Sequence, residues 1–546
     1  MLARRSMFMF PIALCVLAGP ARSQCFVTKI QEAGGGAEHR FGMTVLQHDD
    51  VLFVAEEEAD ASGRVHVYSE QPSGWVEITS FVPAAARPGL RFGAALSADG
   101  DELLVGSSDD DGSWVPGKGG AWIFVRDRQE TPTPLDDRWV ELQALEISDP
   151  WTSQYFGRSV ALCDGIALLG VPLLEGAPQR AAAYVFARDD RSPKTLLDDR
   201  WTEQARLDPD PATATSSLGA CVALIDGGGL ALASDSRDQV GANGGVLLYA
   251  RDKHGSSDRF DDTWQLTGQI DAPAGGADSL FGNFIVDGER LFAFGGIATP
   301  GSSVLRPCIV VYERTAGAWS SSQVLDGDVD GASMAADGDL LMTTVPGWGG
   351  PPSHGDEMAL FARVAGAWTL QSIVRAPDEA PYDEFGCSVD LVGSRAYFGA
   401  HGWPYRDDYP AVEGAVWVAQ FDEPNGWTAL SDTNIPEPSL AGWGRLDGQS
   451  TVTLHVYDTF WDGNLVVLVA GASELNLPIG DDVLVPTPDL LLPLVMSPGG
   501  DVSVSGIWPP GLPPGYSVWF QAWVVTGYHS NPWSVSNAVR ATQTSD

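Results

Sequence analysis

Short apolar runs separated by turn residues recur along most of this chain, at intervals of about 50 to 65 residues. The clearest copy, from Tyr155 to Leu207, contains four such runs within YFGRSVALCDGIALLGV, AAAYVFARDD and LDDRWTEQARL. Alternating or continuous apolar runs of this length are typical of β-strands. Four strands per repeat is the pattern of a β-propeller, so the sequence predicts an all-β fold built from blades.

The first strand of each repeat starts with Phe-Gly or a variant of it. These starts lie at Phe41-Gly42, Phe92-Gly93, Phe156-Gly157, Leu218-Gly219, Phe281-Gly282, Asp330-Gly331 and Phe385-Gly386. Seven starts predict seven blades, in which the glycine permits close backbone approach and the Phe wedges between neighbours. The segment 24–30 resembles a fourth strand without its blade, so we expect it to complete the last blade and close the ring.

Turn residues predict two hairpins in a typical blade. Asp-Gly follows the first strand at Asp99, Asp164, Asp226, Asp287 and Asp337, which favours tight turns with positive φ at both central residues. Leu-Asp-Asp-Arg-Trp or a close relative precedes Trp139, Trp201 and Trp264, opposite Arg126, Arg188 and Arg251. We expect exposed ion pairs across these hairpins, each contributing about 0–1 kcal/mol.

The repeat stops near Asp432, and the last hundred or so residues show another pattern. Short alternating strands separated by Pro-Gly turns predict a small β-sandwich there. The predicted organisation is a signal peptide at 1–23, a seven-bladed propeller at 24–432, a linker at 433–442 and the sandwich at 443–546.

The N-terminus and the charge predict an exported protein. Arg4 and Arg5 precede an apolar stretch, and Ala21 and Ser23 supply small residues before a cut ahead of Gln24, as in a secretory signal. The stretch is too short for a membrane span, so no membrane insertion is expected. A net charge of −40 disfavours nucleic acid and anionic lipid as partners. The expected localisation is secreted or cell surface, as a monomer.

The cysteines predict no metal or redox motif, because none of them has CxxC spacing. Five remain after cleavage of the signal peptide, namely Cys25, Cys163, Cys221, Cys308 and Cys387, and an odd number leaves at least one thiol unpaired. Cys163, Cys221 and Cys387 fall in apolar strands, where buried thiols are the default interpretation. The disulfide pairing stays open.

One loop of the last repeat has the composition of a binding site. Trp403, Tyr405, Arg406, Asp407 and Tyr409 combine aromatic rings, a guanidinium and a carboxylate, which is typical of interaction hot spots and sugar-stacking sites. The alternative is an aromatic plug over the channel mouth. Trp348 and His354 are candidates to border this loop.

The acidic segments offer weaker metal candidates. Asp326, Asp328 and Asp330, with Asp337 at the twelfth position, resemble a calcium loop, but Asp337 is expected in a hairpin turn about 16 Å away. A partial calcium site from the first three stays open, and no cofactor is required. Two further clusters lie in loops between second and third strands: Glu56, Glu57, Glu58 and Asp60, then Asp109, Asp110 and Asp111. They are interpreted as a solvated acidic rim, with a divalent cation site as the alternative.

The order Phe-Gly-x-x-Val, Leu-x-Val-Gly, Gly-Ala-x-x-Val-Phe resembles the FG-GAP repeat of integrin α-subunit propellers and their exported bacterial relatives. The best copies are Phe92 to Phe124, Phe156 to Phe186 and Phe385 to Val418. This resemblance implies a seven-bladed propeller used in adhesion or protein binding, often with calcium in a DxDxDG loop. Two-residue Asp-Gly turns leave no room for that loop here.

These features favour a non-catalytic exported propeller that presents loops to an extracellular protein or glycan. The alternative is a carbohydrate-active hydrolase or lyase with its site over the channel, since propeller enzymes assemble sites from separate blades. A structural envelope protein is the third hypothesis. No GxSxG, HExxH or phosphate-binding loop occurs in the sequence, which favours binding over catalysis.

Overall fold

A computed structural model of the chain describes 26–31, 40–57, 62–71, 74–107, 119–129, 133–148, 155–172, 181–189, 198–208, 216–237, 244–255, 259–271, 282–298, 305–326, 329, 331–345, 357–364, 366–376, 384–401, 414–421, 427–429, 439–443, 446, 451–457, 465–479, 482–496, 501–525 and 533–543. These residues form β-strands joined by turns, with 3-10 turns at Pro134–Asp136 and Arg259–Asp261. No helix among them is long and apolar enough to cross a membrane. Two compact units are formed, one by Thr28–Ala376 with Ala380–Val418 and one that includes Ala419–Asp546.

The first unit is built from four-stranded antiparallel sheets in which successive strands are neighbours. Sheet 1 contains β2 (Phe41–His48), β3 (Val51–Glu56), β4 (Arg64–Gln71) and β5 (Gly74–Phe81). Sheet 2 contains β6 (Phe92–Asp99), β7 (Glu102–Ser107), β8 (Gly120–Asp127) and β9 (Arg138–Leu145). Sheet 3 contains β10 (Ser159–Cys163), β11 (Ile166–Val171), β12 (Ala182–Asp189) and β13 (Arg200–Leu207). Sheet 4 contains β14 (Ser216–Ile225), β15 (Leu230–Arg237), β16 (Gly245–Asp252) and β17 (Thr263–Asp271).

Three more sheets complete this unit in the described part of the chain. Sheet 5 contains β18 (Phe284–Asp287), β19 (Arg290–Ala298), β20 (Leu305–Thr315) and β21 (Ala318–Asp326). Sheet 6 contains β22 (Met334–Asp337), β23 (Leu340–Thr344), β24 (Glu357–Val364) and β25 (Ala367–Arg375). Sheet 7 contains β26 (Phe385–Val392), β27 (Arg395–Ala400) and β28 (Ala415–Gln420), and its outer strand is the N-terminal β1 (Phe26–Ile30).

The sheets follow one another in a closed cycle. The first strand of each sheet contacts the first strand of the next, and β26 of sheet 7 contacts β2 of sheet 1. The order β1-β28-β27-β26 shows the predicted pairing of the N-terminal strand with the last repeat. The all-β class is therefore confirmed, with the sheet arrangement of a β-propeller.

Apolar side chains fill the spaces between successive sheets. One core joins Phe53 of sheet 1 to Phe92 and Leu103 of sheet 2. Another joins Ile30 of β1 to Val416 of β28 and to Val54 of sheet 1. In sheets 2 and 3 the second strand is buried on both faces, and it contains a continuous apolar run, LLVG and ALLG respectively.

Polar bridges also join neighbouring sheets, and we call this set the arginine belt. Its members are Arg126–Asp50, Arg188–Glu102, Arg259–Asp164, Arg314–Asp226, Arg363–Glu313 and Arg395–Glu70. Between sheets 6 and 7 the carboxylate of Asp337 accepts a hydrogen bond from the Gly393 amide, at 2.6 Å. Each pair of neighbouring sheets is thus bridged near the turns that join first and second strands.

The predicted cross-hairpin pairs exist, but two of the three are buried. Arg126 Nε lies 2.6 Å from Asp137 Oδ2, and both side chains are 2% exposed. Arg251 pairs with Asp262 in a similarly buried site. The expectation of exposed pairs was wrong here because the Trp that follows each Asp packs the hairpin end onto the neighbouring sheet, as Trp139 does against Phe53.

The Asp-Gly turns differ from the expected geometry in three sheets. Asp164 and Gly165 both have positive φ, as expected. In contrast, Asp99 pairs with Glu102 as the last residue of its strand, and only Gly100 has positive φ. Asp287 and Asp337 occupy the same position. The turn is shifted by one residue, which in the Asp99 and Asp337 copies directs the carboxylate to an amide of the next sheet.

The second unit is a β-sandwich. Its larger sheet has the order β29 (Trp427–Ala429), β38 (Trp533–Thr542), β37 (Ser517–Val525), β32 (Leu465–Gly471) and β35 (Leu490–Val495). Its smaller sheet has β30 (Ser439–Trp443), β31 (Thr451–Tyr457) and β36 (Asp501–Ile507), and β33 (Glu474–Ile479) pairs with β34 (Asp482–Pro486). One core includes Leu454 of the smaller sheet and Val466 and Val539 of the larger. Strands β29 and β30 precede the predicted start at 443.

Candidate recognition face

We define the recognition face as the end of the first unit where first strands begin and second strands end. The chain enters four sheets there through the same turn, in which a residue with positive φ precedes Phe-Gly. These residues are Arg40, Arg91, Tyr155 and Glu384, with φ of 56°, 50°, 59° and 51°. Each carbonyl accepts a hydrogen bond from the amide three residues later. Because bulky residues rarely adopt positive φ, these turns are held by their surroundings.

Neighbouring sheets lock the Phe-Gly turns in place. A Cβ added to Gly106 in β7 would overlap the carbonyl oxygen of Gly157, which belongs to the Phe-Gly turn of sheet 3. Gly399 in β27 approaches Gly42 of sheet 1 in the same way. The predicted close approach is therefore confirmed at these positions, and its partner is the second strand of the preceding sheet. Among the described residues, no atom lies within 4 Å of a Cβ added to Gly282, so the fifth copy of the motif shows no such contact with them.

Hydroxyl groups of the first strands add a second set of contacts below the turns. Ser159 Oγ donates to the Gly219 carbonyl at 2.8 Å, and Ser388 Oγ donates to the Gly42 carbonyl at 2.9 Å. Thr44 Oγ1 occupies the equivalent position in sheet 1 and reaches the Ala94 carbonyl at 3.4 Å. These hydrogen bonds fix the position of each first strand, along the strand direction, relative to the first strand of the next sheet.

Charged residues at this face pair with one another in equivalent positions. Arg40 precedes Phe41 and lies 3.4 Å from Glu57, which follows the end of β3. In sheet 7 the charges are exchanged, since Glu384 precedes Phe385 and its carboxylate lies 2.6 Å from Nε2 of His401. Each pair ties the start of a first strand to the end of the second strand.

A buried histidine lies behind the Arg40–Glu57 pair. His66 Nε2 is 3.1 Å from Glu56, and His66 Nδ1 is 3.0 Å from Glu77. Burial acts to lower the pKa of His66, but the two carboxylates outweigh it and raise the pKa above its usual value. At the equivalent position sheets 2 and 3 have Trp122 and Tyr184, so a charged cluster replaces an aromatic core residue.

The acidic rim predicted for sheet 1 is corrected in part. Glu56 and Glu57 are 1% and 4% exposed, because β3 continues to Glu56 and both carboxylates have partners inside the fold. They are not solvated. Glu58, Asp60, Asp109, Asp110 and Asp111 lie outside the described residues.

The predicted recognition residues also lie outside the described residues. Trp403, Tyr405, Arg406, Asp407 and Tyr409 belong to 402–413, and Trp348 and His354 belong to 346–356. The structure does place both ends of 402–413. The segment leaves from His401, whose partner is Glu384, and returns at Gly414, whose backbone packs against Phe41. These residues remain a prediction; the described residues that flank them, His401 and Gly414, lie at the contact between sheets 7 and 1.

The metal candidates are only partly described. Asp326 is the last residue of β21, and Asp328 and Asp330 lie outside the described residues. Asp337 is the last residue of β22, directly before the hairpin turn of sheet 6, and its carboxylate accepts a hydrogen bond from the Gly393 amide. No group of three or more His, Cys, Asp or Glu side chains in the described part of the chain is arranged to hold a metal ion.

Cys163, Cys221 and Cys387 are free thiols, and burial raises the pKa of Cys221 to about 11.

The sequence did not predict the histidine–carboxylate pairs of this face. His66 is one of eight histidines, and nothing in HVYSE marks it as different from a surface residue of a strand. The one available signal was alignment of the repeats, which places His66 where other repeats have a large aromatic residue.

No protein-family model and no curated protein matches the sequence. Among solved structures, the chain is similar to an oligogalacturonate lyase from Vibrio parahaemolyticus, with 9% identity and a TM-score of 0.39 over 72% of this chain and 97% of that one. It is also similar to the Bombyx mori GH32 β-fructofuranosidase BmSUC1, with 11% identity and a TM-score of 0.29. That match covers 82% of this chain and 87% of that one. A mutant of the latter enzyme, in complex with sucrose, matches with the same identity and TM-score over 84% and 92%.

Proposed function

We propose that this protein is a non-catalytic, exported β-propeller of seven blades, related to the FG-GAP repeat proteins, that binds an extracellular protein or glycan. In this proposal residues 402–413 supply the main contacts, through Trp403 and Arg406, and the protein acts as a monomer. The sandwich unit serves as a spacer or attachment module.

One observation carries the proposal: long, variable connections are attached to a constant, locked frame at the recognition face. Between second and third strands the chain spans 108–119, 345–356 and 401–414, whereas first and second strands are joined by tight turns. The frame below consists of the Phe-Gly turns and glycine contacts described above. Loops that vary on a rigid scaffold are the usual way in which a repeat fold presents a binding surface.

The described charged residues of this face support binding rather than catalysis. Arg40 pairs with Glu57, and His401 pairs with Glu384, so these groups hold the frame. An aromatic ring and a guanidinium, the groups that Trp403 and Arg406 contribute to this segment, supply stacking and directional hydrogen bonds to a ligand.

The test compares capture by the wild-type protein with capture by Trp403→Ala and Arg406→Ala. A glycan array and a pull-down with extracellular proteins should each be run with the purified mature chain. We expect at least one ligand for the wild type and about a tenfold or greater loss in both variants. Arg128→Ala is the matched control, because Arg128 is an exposed arginine in the turn region at the opposite end.

Two results would overturn the proposal. Capture that is unchanged in the Trp403→Ala, Arg406→Ala double variant would remove residues 402–413 from the site. Blank arrays combined with turnover of a polysaccharide panel would replace the binding function by a hydrolase or lyase activity.

A further inference from the structure

Both ring nitrogens of His66 face carboxylates. Nε2 meets Glu56 of β3, and Nδ1 meets Glu77 of β5, at 3.1 and 3.0 Å. The His66 side chain is 3% exposed and that of Glu56 is 1% exposed. A neutral imidazole has one donor and one acceptor nitrogen, so it would leave an acceptor facing a carboxylate oxygen. Only the imidazolium form, with a proton on each nitrogen, donates a hydrogen bond to both carboxylates.

Among the described residues, the other groups around His66 are uncharged or have partners of their own. On its own strand, Tyr68 stacks at 6.4 Å and Arg64 is opposite Glu56 in the strand register, with its guanidinium on Ser80. From β2, the neighbouring side chain is Phe41, which is uncharged. Arg40 and Glu57 form their own pair at the end of the sheet.

The histidine connects directly to the recognition face through Phe41. The rings of His66 and Phe41 are 5.3 Å apart, edge to face. The backbone of Phe41 packs against Gly414, where 402–413 returns to the fold, and Gly42 packs against Ala400 and Ala415. A change at His66 therefore reaches the base of this segment through one side chain.

We propose that His66, held between Glu56 and Glu77, is a proton-dependent lock on the recognition face: the imidazolium fixes the Phe41 turn and the Gly414 backbone that packs against it, and loss of its proton releases them. The proposal rests on the function proposed above, for which it supplies the regulation. It predicts that the ligand binds more tightly at neutral and mildly acidic pH than at alkaline pH.

The direction of this pH dependence follows from the carboxylates that face His66. The carboxylates raise the pKa of His66 above its ordinary value in the folded protein. A group with a raised folded pKa stabilises the fold fully below its unfolded pKa and loses that contribution as the pH rises through the folded value. After deprotonation only one ring nitrogen donates, so one of the two carboxylates faces a nitrogen lone pair and both lose the positive charge of His66. The contacts of β4 with β3, β5 and the Phe41 turn are therefore expected to weaken.

The experiment measures amide hydrogen exchange in the mature full-length protein between about pH 6 and pH 9, corrected for the intrinsic rate. For the wild type, protection at 40–45 and at 414–418 should fall about tenfold or more across this range, which corresponds to one pKa unit of coupling. In His66→Gln this pH dependence should disappear. His254→Gln is the control, because His254 is an exposed histidine beside Asp252, and it should behave as the wild type does.

A second variant keeps the test decisive if His66→Gln fails to fold. Glu77→Gln removes one carboxylate that is 37% exposed and retains the Glu56–His66 pair. It should move the loss of protection to lower pH. Histidine Cε1 chemical shifts should show His66 titrating above the ordinary value near 6.5, and lower in Glu77→Gln than in the wild type.

Protection that is independent of pH at 40–45, or a His66 that titrates at or below the ordinary value, would overturn the lock. Hydrogen exchange requires no ligand, so these results stand apart from the capture experiment. Failed capture with a pH-dependent His66 would refute the proposed function and leave the lock intact.

Discussion

Single residues carry the pH sensitivity of the propeller unit, and Glu102 is the clearest case. Its side chain is 3% exposed, and Arg188 Nη1 donates to it. Burial raises the pKa of Glu102 to about 7; Arg188 opposes this shift, and Asp199 and Asp99 add to it. The folded protein therefore holds a proton on Glu102 at pH values where the unfolded chain has released it.

We expect Glu102→Gln to flatten the pH dependence of stability. The wild-type fold should gain from protonated Glu102 at mildly acidic pH and lose this gain as the pH rises through about 7. The difference between the two proteins in unfolding free energy should change by up to about 3 kcal/mol between pH 5 and pH 8. Urea midpoints across this range measure it.

Glu146→Gln is the matched control for this prediction, because Glu146 is an exposed glutamate at the end of sheet 2. Its urea midpoints should parallel those of the wild type. Parallel curves for Glu102→Gln as well would show that Glu102 titrates normally.

At the scale of the strand and its turns, the glycines of the second strands are as important as the Phe-Gly motif. Gly106→Ala should destabilise the protein by about 1–3 kcal/mol or more, because the new methyl group overlaps the Gly157 carbonyl and must push sheets 2 and 3 apart. Gly282→Ala should change stability by less than about 1 kcal/mol, because no atom of the described residues lies within 4 Å of its Cβ. Urea unfolding of both variants tests the pair; equal effects would contradict the packing described for the Phe-Gly turns.

The hairpin between third and fourth strands depends on a buried arginine. Arg126 binds Asp137 in its own hairpin and Asp50 in sheet 1, and its hydrogen bonds lower the pKa of Asp50. Arg126→Met should cost about 3–5 kcal/mol, because Asp137 would stay buried without its cation. Arg128→Met removes a half-exposed arginine two residues away and should cost less than about 1 kcal/mol. Similar urea midpoints for the two variants would refute this distinction.

The local sequence pattern was sufficient to predict the strands. It was insufficient to predict the contacts between sheets. The strands from Phe41, Phe92 and Phe385 begin where the sequence predicts, because apolar periodicity and turn residues are local signals. The shift of the Asp99 turn was not predictable, since it depends on an amide in the next sheet. In the same way, EEEAD at the end of β3 has the composition of a solvated loop, and only the fold shows the Glu56 carboxylate in contact with His66 Nε2. The residues predicted to bind a ligand follow from composition alone.

For the whole molecule, the arginine belt and the cyclic order of the sheets make stability a collective property. An acidic protein with few cations places at least six arginines between neighbouring sheets, each next to a carboxylate. Carboxylates that would otherwise repel one another are thereby used to join the repeats. In a ring each sheet has two neighbours, so the loss of one contact weakens the closure that all the others share.

The closing strand β1 gives the sharpest test of this dependence. Ile30 is buried between β28 and sheet 1, in a core with Val416, and Lys29 lies 4.8 Å from the Trp417 ring. A chain that begins at residue 32 should expose the edge of β28 and this core, and it should aggregate or unfold at a clearly lower urea concentration than a chain that begins at Gln24. A peptide of residues 24–31 added in trans should restore the midpoint, and a scrambled peptide should not. If the shortened chain unfolds at the wild-type midpoint, the ring closes without its first strand, and the bridge from Arg395 to Glu70 together with the β2–β26 contact would have to hold sheets 7 and 1 together.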